Sequence, residues 1–216
     1  MERTEHEWHG SDIICVTNRK LIRGYDAERD WNPLFLQKIT EIAECHPAGI
    51  ILRERDLPEA EYEALAGQAM EICARYGVRC ILHTFVGAAE NLHAEAFHAP
   101  LSVLRGMSET QKKQFAVLGA SCHSVEDAME AQRLGCTYLT AGHIFATDCK
   151  KGLPGRGLDF LREVCRAVDI PVYAIGGITP DNAAEVCRAG AAEVCVMSGL
   201  MQCENVAEVM RALTNH

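Results

Sequence analysis

Two short glycine-containing segments near the C-terminus have the composition of an anion-binding site. The first contains Gly176 and Gly177, and the second contains Ser198 and Gly199. Glycines let backbone N–H groups approach an anion closely, and the positive end of a following helix adds to the attraction. The two segments therefore predict a phosphate site. The alternative is that the glycine pair forms only a tight turn and Ser198-Gly199 only a helix cap.

The segment 141–157 carries side chains that suit an anionic substrate and proton transfer. It contains His143, Lys150, Lys151 and Arg156. An imidazole can take up and return a proton near neutral pH, which makes His143 a candidate general acid or base. Long connections in compact domains are frequently lids or binding loops. The alternatives are a solvated charged loop and a histidine held only by hydrogen bonds; His83 and His123 are secondary candidates.

A charged run follows one of the apolar runs in the first quarter of the chain. Side chains alternate along a strand, so Arg53 and Arg55 would lie on one face. Two guanidinium groups there could bind phosphate or carboxylate bidentately. The alternative is a local ion-pair cluster with Glu54 and Asp56, because charge runs are usually solvated.

The secondary structure that must position these residues can be predicted from the apolar pattern. Short apolar runs alternate with longer segments whose apolar residues recur every three or four positions. The pattern predicts strands at 13–17, 49–53, 79–83, 99–103, 115–120, 137–141, 170–175 and 193–197. It predicts helices near 33–45, 59–76, 87–94, 108–114, 124–134, 156–168, 179–189 and 203–214. Eight such units are typical of the α/β class and of a single (βα)8 TIM barrel. The barrel would span 1–216, with 1–12 as a polar N-terminal extension.

A doubly wound open sheet is the alternative fold. It usually has a glycine-rich turn after its first strand, where this chain has Asn18-Arg19-Lys20. In a barrel, function lies at the C-terminal ends of the strands, and phosphate commonly binds after strands seven and eight. The barrel would therefore bring the glycine segments, His143 and Arg53 to one rim.

Composition excludes several classes of protein. The 216 residues carry a formal charge of −9 and 48% hydrophobic residues, which indicates one globular domain and excludes disorder. No Lys/Arg-rich stripe predicts nucleic-acid binding, and no run approaches the roughly 18 apolar residues of a membrane span. The eleven cysteines include no C-x-x-C pair, so we expect free thiols and a cytoplasmic location. Only Cys149 lies in a predicted functional loop.

The chain resembles the thiamine phosphate synthase/TenI superfamily. The resemblance rests on Val16–Arg19, Leu52–Leu57, Gly119–His123, Ile175–Ile178 and Ser198-Gly199. It implies a barrel that forms a homodimer and binds a small thiazole phosphate. It also implies that Gly177, Ser198 and Gly199 bind the phosphate, that Gly176 shapes the turn and that Ser121 contributes to the site.

The superfamily contains two enzymes. The synthases join hydroxymethylpyrimidine diphosphate to thiazole phosphate, with magnesium held by carboxylates after strands three and four. This chain has residues 83–85 (His-Thr-Phe) and 104–106 (Leu-Arg-Gly) at the predicted ends of those strands. It also has Ile51 in place of a glutamine, and His143 in place of a proline. Loss of the carboxylates would remove the usual means of neutralising a diphosphate.

These differences favour the second enzyme, thiazole tautomerase. The resemblance then implies aromatisation of a carboxylated dihydrothiazole phosphate by proton transfer. His143 would be the catalytic proton shuttle, and Arg53 and Lys150 would bind carboxylate or phosphate. No metal or cofactor is needed for this reaction, whereas the synthase alternative would need magnesium. A non-catalytic regulatory or binding homologue is a second alternative.

Overall fold

The computed structural model describes residues 11–150 and 152–214. Lys151, the Cys149 side chain and residues 1–10 of the expected extension 1–12 lie outside the described residues, and the first strand begins at Ser11. The strands are β1 (Ser11–Val16), β2 (Pro47–Leu52), β3 (Arg79–His83), β4 (Ala96–Pro100), β5 (Val117–Cys122), β6 (Tyr138–Gly142), β7 (Val172–Ile175) and β8 (Glu193–Val196).

The strands form a closed barrel in chain order, and every pairing is parallel. The barrel closes where Cys15 of β1 pairs with Val196 of β8. Parallel neighbours need long crossover connections, which the helices between the strands supply. The predicted (βα)8 barrel is confirmed, and the doubly wound sheet is excluded.

Most helices lie between successive strands, on the outside of the barrel. They are α1 (Asn32–Ala43), α2 (Glu59–Arg75), α3 (Val86–Asn91), α4 (Leu101–Gly106), α5 (Glu109–Gln114), α6 (Val125–Arg133), α7 (Gly157–Ala167), α8 (Pro180–Arg188), α9 (Ser198–Met201) and α10 (Val206–Thr214). Short 3-10 turns occupy Arg19–Leu21 and Asp148–Lys150. No helix in the described ranges is long and apolar enough to cross a membrane.

Strand residues alternate between two apolar clusters, as the period of two requires. One cluster joins the outer strand faces to the helices. The other fills the barrel and includes Ile14, Ile51, Ile81 and Tyr138. Gly119 makes room for the Tyr138 ring, because a Cβ at Gly119 would overlap it. The cysteines whose side chains the structure describes are all free thiols, as predicted.

The fourth strand differs from its prediction. It covers Ala96–Pro100 rather than 99–103, and α4 begins at Leu101. Proline has no N–H for the ladder, and Pro100 is the N-cap residue of α4, so the apolar run after it forms a helix. Residues 104–106 therefore lie on α4 and not at a strand end. His98, which the prediction left outside the strand, lies on β4 instead.

Candidate active site

A cavity of about 660 Å³ lies at the C-terminal ends of the strands, and all eight strands or the residues after them contribute to its lining. A second cavity of about 570 Å³ lies between the segment after β6 and the turns after β7 and β8. The two cavities adjoin, because Lys150, Gly177 and Ser198 line both. The barrel therefore has this recess where barrel enzymes bind substrates.

The structure brings the predicted site residues together around these cavities. The main cavity is lined by Arg53, Ser121, His143, Lys150, Gly176, Gly177 and Ser198, and also by Arg55, His83 and His123. Gly199 lines the second cavity. Arg156 lines neither, and its guanidinium lies 5.3 Å from the centre of the Phe160 ring. Its predicted part in substrate binding has no support from the geometry.

The turns after β7 and β8 present backbone donors to the cavities. Within the described part of the chain, the N–H groups of Gly177, Ile178, Ser198 and Gly199 have no protein acceptor. The carbonyl of Gly177, by contrast, accepts a hydrogen bond from Asn182 Nδ2 on α8 at 3.0 Å. The turn is thus held from one side, while residues whose N–H groups have no acceptor in the described part of the chain line the cavities, an arrangement that suits an anion.

Gly176 and Gly177 also let the segment after β6 pack against this turn. The N–H groups of Ile144 and Phe145 donate to the carbonyls of Ile175 and Gly176, both at 3.0 Å. Gly176 and Gly177 have φ values of +101° and +68°. A Cβ at Gly177 would meet Ala146 O at 2.5 Å and Phe145 Cβ at 2.8 Å. The glycine pair is therefore both a tight turn and a potential anion site.

Gly177→Ala is expected to lower the free energy of unfolding by about 1–3 kcal/mol more than Gly77→Ala, because it adds a steric overlap to the strain of a positive φ. Gly77 is a matched control, since its φ is +66° and a Cβ there would meet nothing within 4 Å. Urea denaturation measures both losses. Equal losses in the two variants would show that the packing against residues 145 and 146 contributes nothing.

A set of polar side chains that hydrogen-bond to one another forms the floor of the main cavity. His98 is buried, its Nδ1 lies 2.8 Å from Tyr138 Oη, and its Nε2 lies 2.8 Å from Ser121 Oγ. Thr140 Oγ1 is 3.4 Å from both His98 Nε2 and Ser121 Oγ. Sequence reasoning missed His98 and Thr140. The alternation of β4 would have revealed His98, but only with the strand placed correctly.

The His98 and His83 rings stack with centroids 5.6 Å apart. Burial, together with the positive charge of Arg53, lowers the pKa of His98 to about 3. Burial lowers the pKa of His83 well below its ordinary value, and His98, Arg53 and Arg55 lower it further. Both imidazoles are therefore neutral at physiological pH and act in the floor as hydrogen-bonding groups without charge.

His143 and His123 also line the main cavity. His143 is buried, its Nε2 lies 3.4 Å from the carbonyl of Leu153, and its own carbonyl accepts from the N–H of Arg156 at 3.0 Å. His143 thus joins the beginning and the end of the segment after β6. Nδ1 of His123 lies 2.9 Å from the carbonyl of Gly142, and because a carbonyl only accepts, Nδ1 carries the proton in this bond.

The charged run after β2 is not the local ion-pair cluster that was the alternative prediction. Glu54 and Asp56 both pair with Arg19, which follows β1, at 2.9 and 2.7 Å. Arg53 and Arg55 instead line the cavity. Both arginines therefore lie on the cavity side, although they follow the end of β2 at Leu52 and are not themselves strand residues.

The family model described as thiamine monophosphate synthase (TMP-TENI) matches residues 21–200. The chain belongs to this family. It is 32% identical over 197 residues to thiamine-phosphate synthase 2 of Streptococcus pneumoniae, covering 88% of this chain and 92% of that protein. It is 29% identical over 216 residues to thiamine-phosphate synthase of Clostridium tetani, covering 95% and 97%.

A solved structure gives the same result. The thiamine phosphate pyrophosphorylase from Pyrococcus furiosus has a TM-score of 0.76 and 26% sequence identity, and the match covers 94% of this chain and 93% of that one. The superfamily resemblance is thereby confirmed at the level of the family.

The expectation of a thiazole tautomerase is wrong. The similar proteins are named as thiamine-phosphate synthases or as a thiamine phosphate pyrophosphorylase, and this chain matches them over nearly their whole length. The expectation rested on a few local differences, and one of them used residues 104–106 as a strand end. Those residues lie on α4.

The synthases of this family are expected to use magnesium, but the cavity of this chain does not fit that ion. Magnesium prefers oxygen ligands in octahedral geometry. β3 ends at His83 and β4 at Pro100, and among the described residues that line the main cavity Asp148 is the one carboxylate. No group of three or more His, Cys, Asp or Glu residues that could hold a metal ion occurs in the described ranges.

Proposed function

We propose that this protein is a transferase that forms thiamine phosphate from hydroxymethylpyrimidine diphosphate and thiazole phosphate. The bond between the exocyclic methylene carbon of the pyrimidine and the diphosphate oxygen breaks, and the electron pair leaves with pyrophosphate. The lone pair of the thiazole nitrogen forms the new C–N bond. The similarity to named thiamine-phosphate synthases supports this reaction.

The observation that carries the proposal is the presence of two separate groups of anion-binding residues in adjoining cavities. One group is the set of backbone N–H donors after β7 and β8. The other is the pair of guanidinium groups of Arg53 and Arg55 after β2, and Lys150 lines both cavities. β1 lies between β2 and β8 in the barrel, so the groups approach the cavity from different strands. Two phosphorylated substrates need two such groups, each orienting one reactant.

The glycine-rich turns suit the thiazole monophosphate, since backbone donors at close range match a compact dianion. The cationic side chains suit the diphosphate, whose charge grows on the leaving group as the C–O bond breaks. The neutral floor of His98, Ser121 and Thr140 supplies hydrogen bonds without charge for a polar ring. The reaction moves no net proton, so His143 serves here to hold the segment after β6, through its contacts with Leu153 and Arg156.

Incubation of the purified protein with both substrates should yield thiamine phosphate and pyrophosphate in equal amounts, as measured by mass spectrometry. Ser198→Asp is expected to raise the KM for thiazole phosphate by at least about tenfold, because it sets a negative charge against the phosphate. Ser102→Asp is a matched control on the exposed face of α4 and should leave KM unchanged. If no thiamine phosphate forms at even the highest substrate concentrations, the proposal is contradicted.

A further inference from the structure

We propose that the cavity binds the diphosphate group with side-chain cations in place of magnesium, so that pyrophosphate binds to this protein without a divalent metal ion. The inference rests on the proposed transferase function for its biological meaning. It rests on the charges and donor atoms of the cavity for its physical basis.

The first step is the charge of the main cavity. Arg53, Arg55 and Lys150 contribute cationic side chains to the lining, and Asp148 is the one carboxylate among the described lining residues. The described lining of this cavity therefore has more positive than negative side chains. The protein as a whole, by contrast, has a formal charge of −9. A local surplus of this kind attracts anions even where the whole molecule repels them.

The second step is the shape of the cationic group. Arg53 and Arg55 follow β2, whereas Lys150 belongs to the 3-10 turn Asp148–Lys150 in the segment after β6. The cations thus approach the cavity from two sides. Arginine binds phosphate oxygens bidentately through its planar guanidinium, and lysine acts as a compact point charge. A diphosphate with oxygens on two phosphorus atoms can contact both kinds of cation at once.

The third step is the set of donor atoms at the positions where a metal ion would need carboxylates. His83 ends β3, and its Nδ1 lies 2.5 Å from Thr84 Oγ1. Both ring nitrogens of His98 on β4 already have partners, Tyr138 Oη and Ser121 Oγ. Imidazole nitrogens are poor ligands for magnesium, which prefers oxygen. The cations are therefore the groups that can neutralise the leaving diphosphate.

Calorimetric titration with inorganic pyrophosphate in EDTA, and again in excess magnesium, tests the inference. We expect binding in EDTA, with a Kd within about threefold of the value in magnesium. Arg55→Gln and Lys150→Met should each weaken binding in EDTA by about tenfold, the effect of one lost charge-assisted hydrogen bond. Arg75→Gln on α2 and Lys113→Met on α5 are exposed controls and should bind as the parent does.

Pyrophosphate binding that is absent in EDTA and restored by magnesium would overturn the inference and leave the transferase proposal intact. Binding in EDTA that both variants retain in full would also overturn it, because the anion would then lie elsewhere. Failure of the proposed function has a different signature: no thiamine phosphate in EDTA or in magnesium, with pyrophosphate binding in EDTA still present. Thiamine phosphate formation that EDTA does not reduce would support both proposals together.

Discussion

Arg19→Met is expected to lower the free energy of unfolding by about 3–5 kcal/mol, the loss typical of removing one partner from a buried ion pair. Glu54 is buried, and its carboxylate accepts from Arg19 Nη1 at 2.9 Å and from the Arg19 N–H at 3.0 Å. Burial raises the pKa of Glu54, and hydrogen bonds from Thr17 and Arg19 act against that rise. Methionine keeps the length of the side chain and leaves the carboxylate without its cation.

Urea denaturation at pH 7.5 measures this loss, and Lys20→Met is the matched control. Lys20 is exposed and pairs with Asp56 at 2.7 Å, so its replacement should cost no more than about 1 kcal/mol. The double variant Arg19→Met with Glu54→Gln should regain part of the loss, since it removes the buried charge. A loss in Arg19→Met no larger than that in Lys20→Met would contradict the importance assigned to the buried pair.

The loss in Arg19→Met should also shrink in acid. Without Arg19, the folded-state pKa of Glu54 rises further above that of the unfolded chain. A carboxyl of this kind destabilises the fold most at high pH, and the destabilisation disappears as pH falls to the unfolded pKa and the group is protonated in both states. The difference between Arg19→Met and the parent should therefore narrow between pH 7.5 and about 4.5. A difference that widens in acid would contradict this account.

The architecture follows from the sequence because each strand and helix has its own apolar period. That local pattern predicts eight alternating units, and the barrel is the fold that buries all of them. The same pattern fails at 99–103, where a short apolar run suits a strand or a helix equally well. Pro100 decides the outcome by ending the ladder, and this single error displaced His98 from its place in the site.

Contacts between distant residues were the part of the site that the sequence could not predict. Glu54 and Asp56 have arginines beside them in sequence, yet the fold pairs both with Arg19, more than thirty positions away. The turn at Gly176 and Gly177 was predictable, because glycine has no side chain and its backbone can form a tight turn whatever distant residues surround it. Hydrogen bonds such as that between His98 and Ser121 depend on the register of two neighbouring strands, which no local pattern contains.

His98→Gln is expected to remove about 1.4 kcal/mol per pH unit from the acid-side slope of stability. The folded-state pKa of His98 is about 3, whereas an unfolded histidine titrates near its ordinary value of 6.5. Between these values the unfolded chain binds one more proton than the folded protein at this site, so stability falls as pH falls below about 6.5. Glutamine does not titrate and keeps hydrogen-bonding groups for Ser121 and Tyr138.

Urea denaturation at steps from pH 7.5 to 5 measures the slope, and the difference between parent and variant isolates His98 from the other titrating groups. His93→Gln is the control, because His93 is exposed on the segment after α3 and outside both cavities. It should leave the parent slope unchanged. If the slope in His98→Gln equals that of the parent, His98 must bind its proton equally in both states, and the neutral floor assigned to the cavity would be wrong.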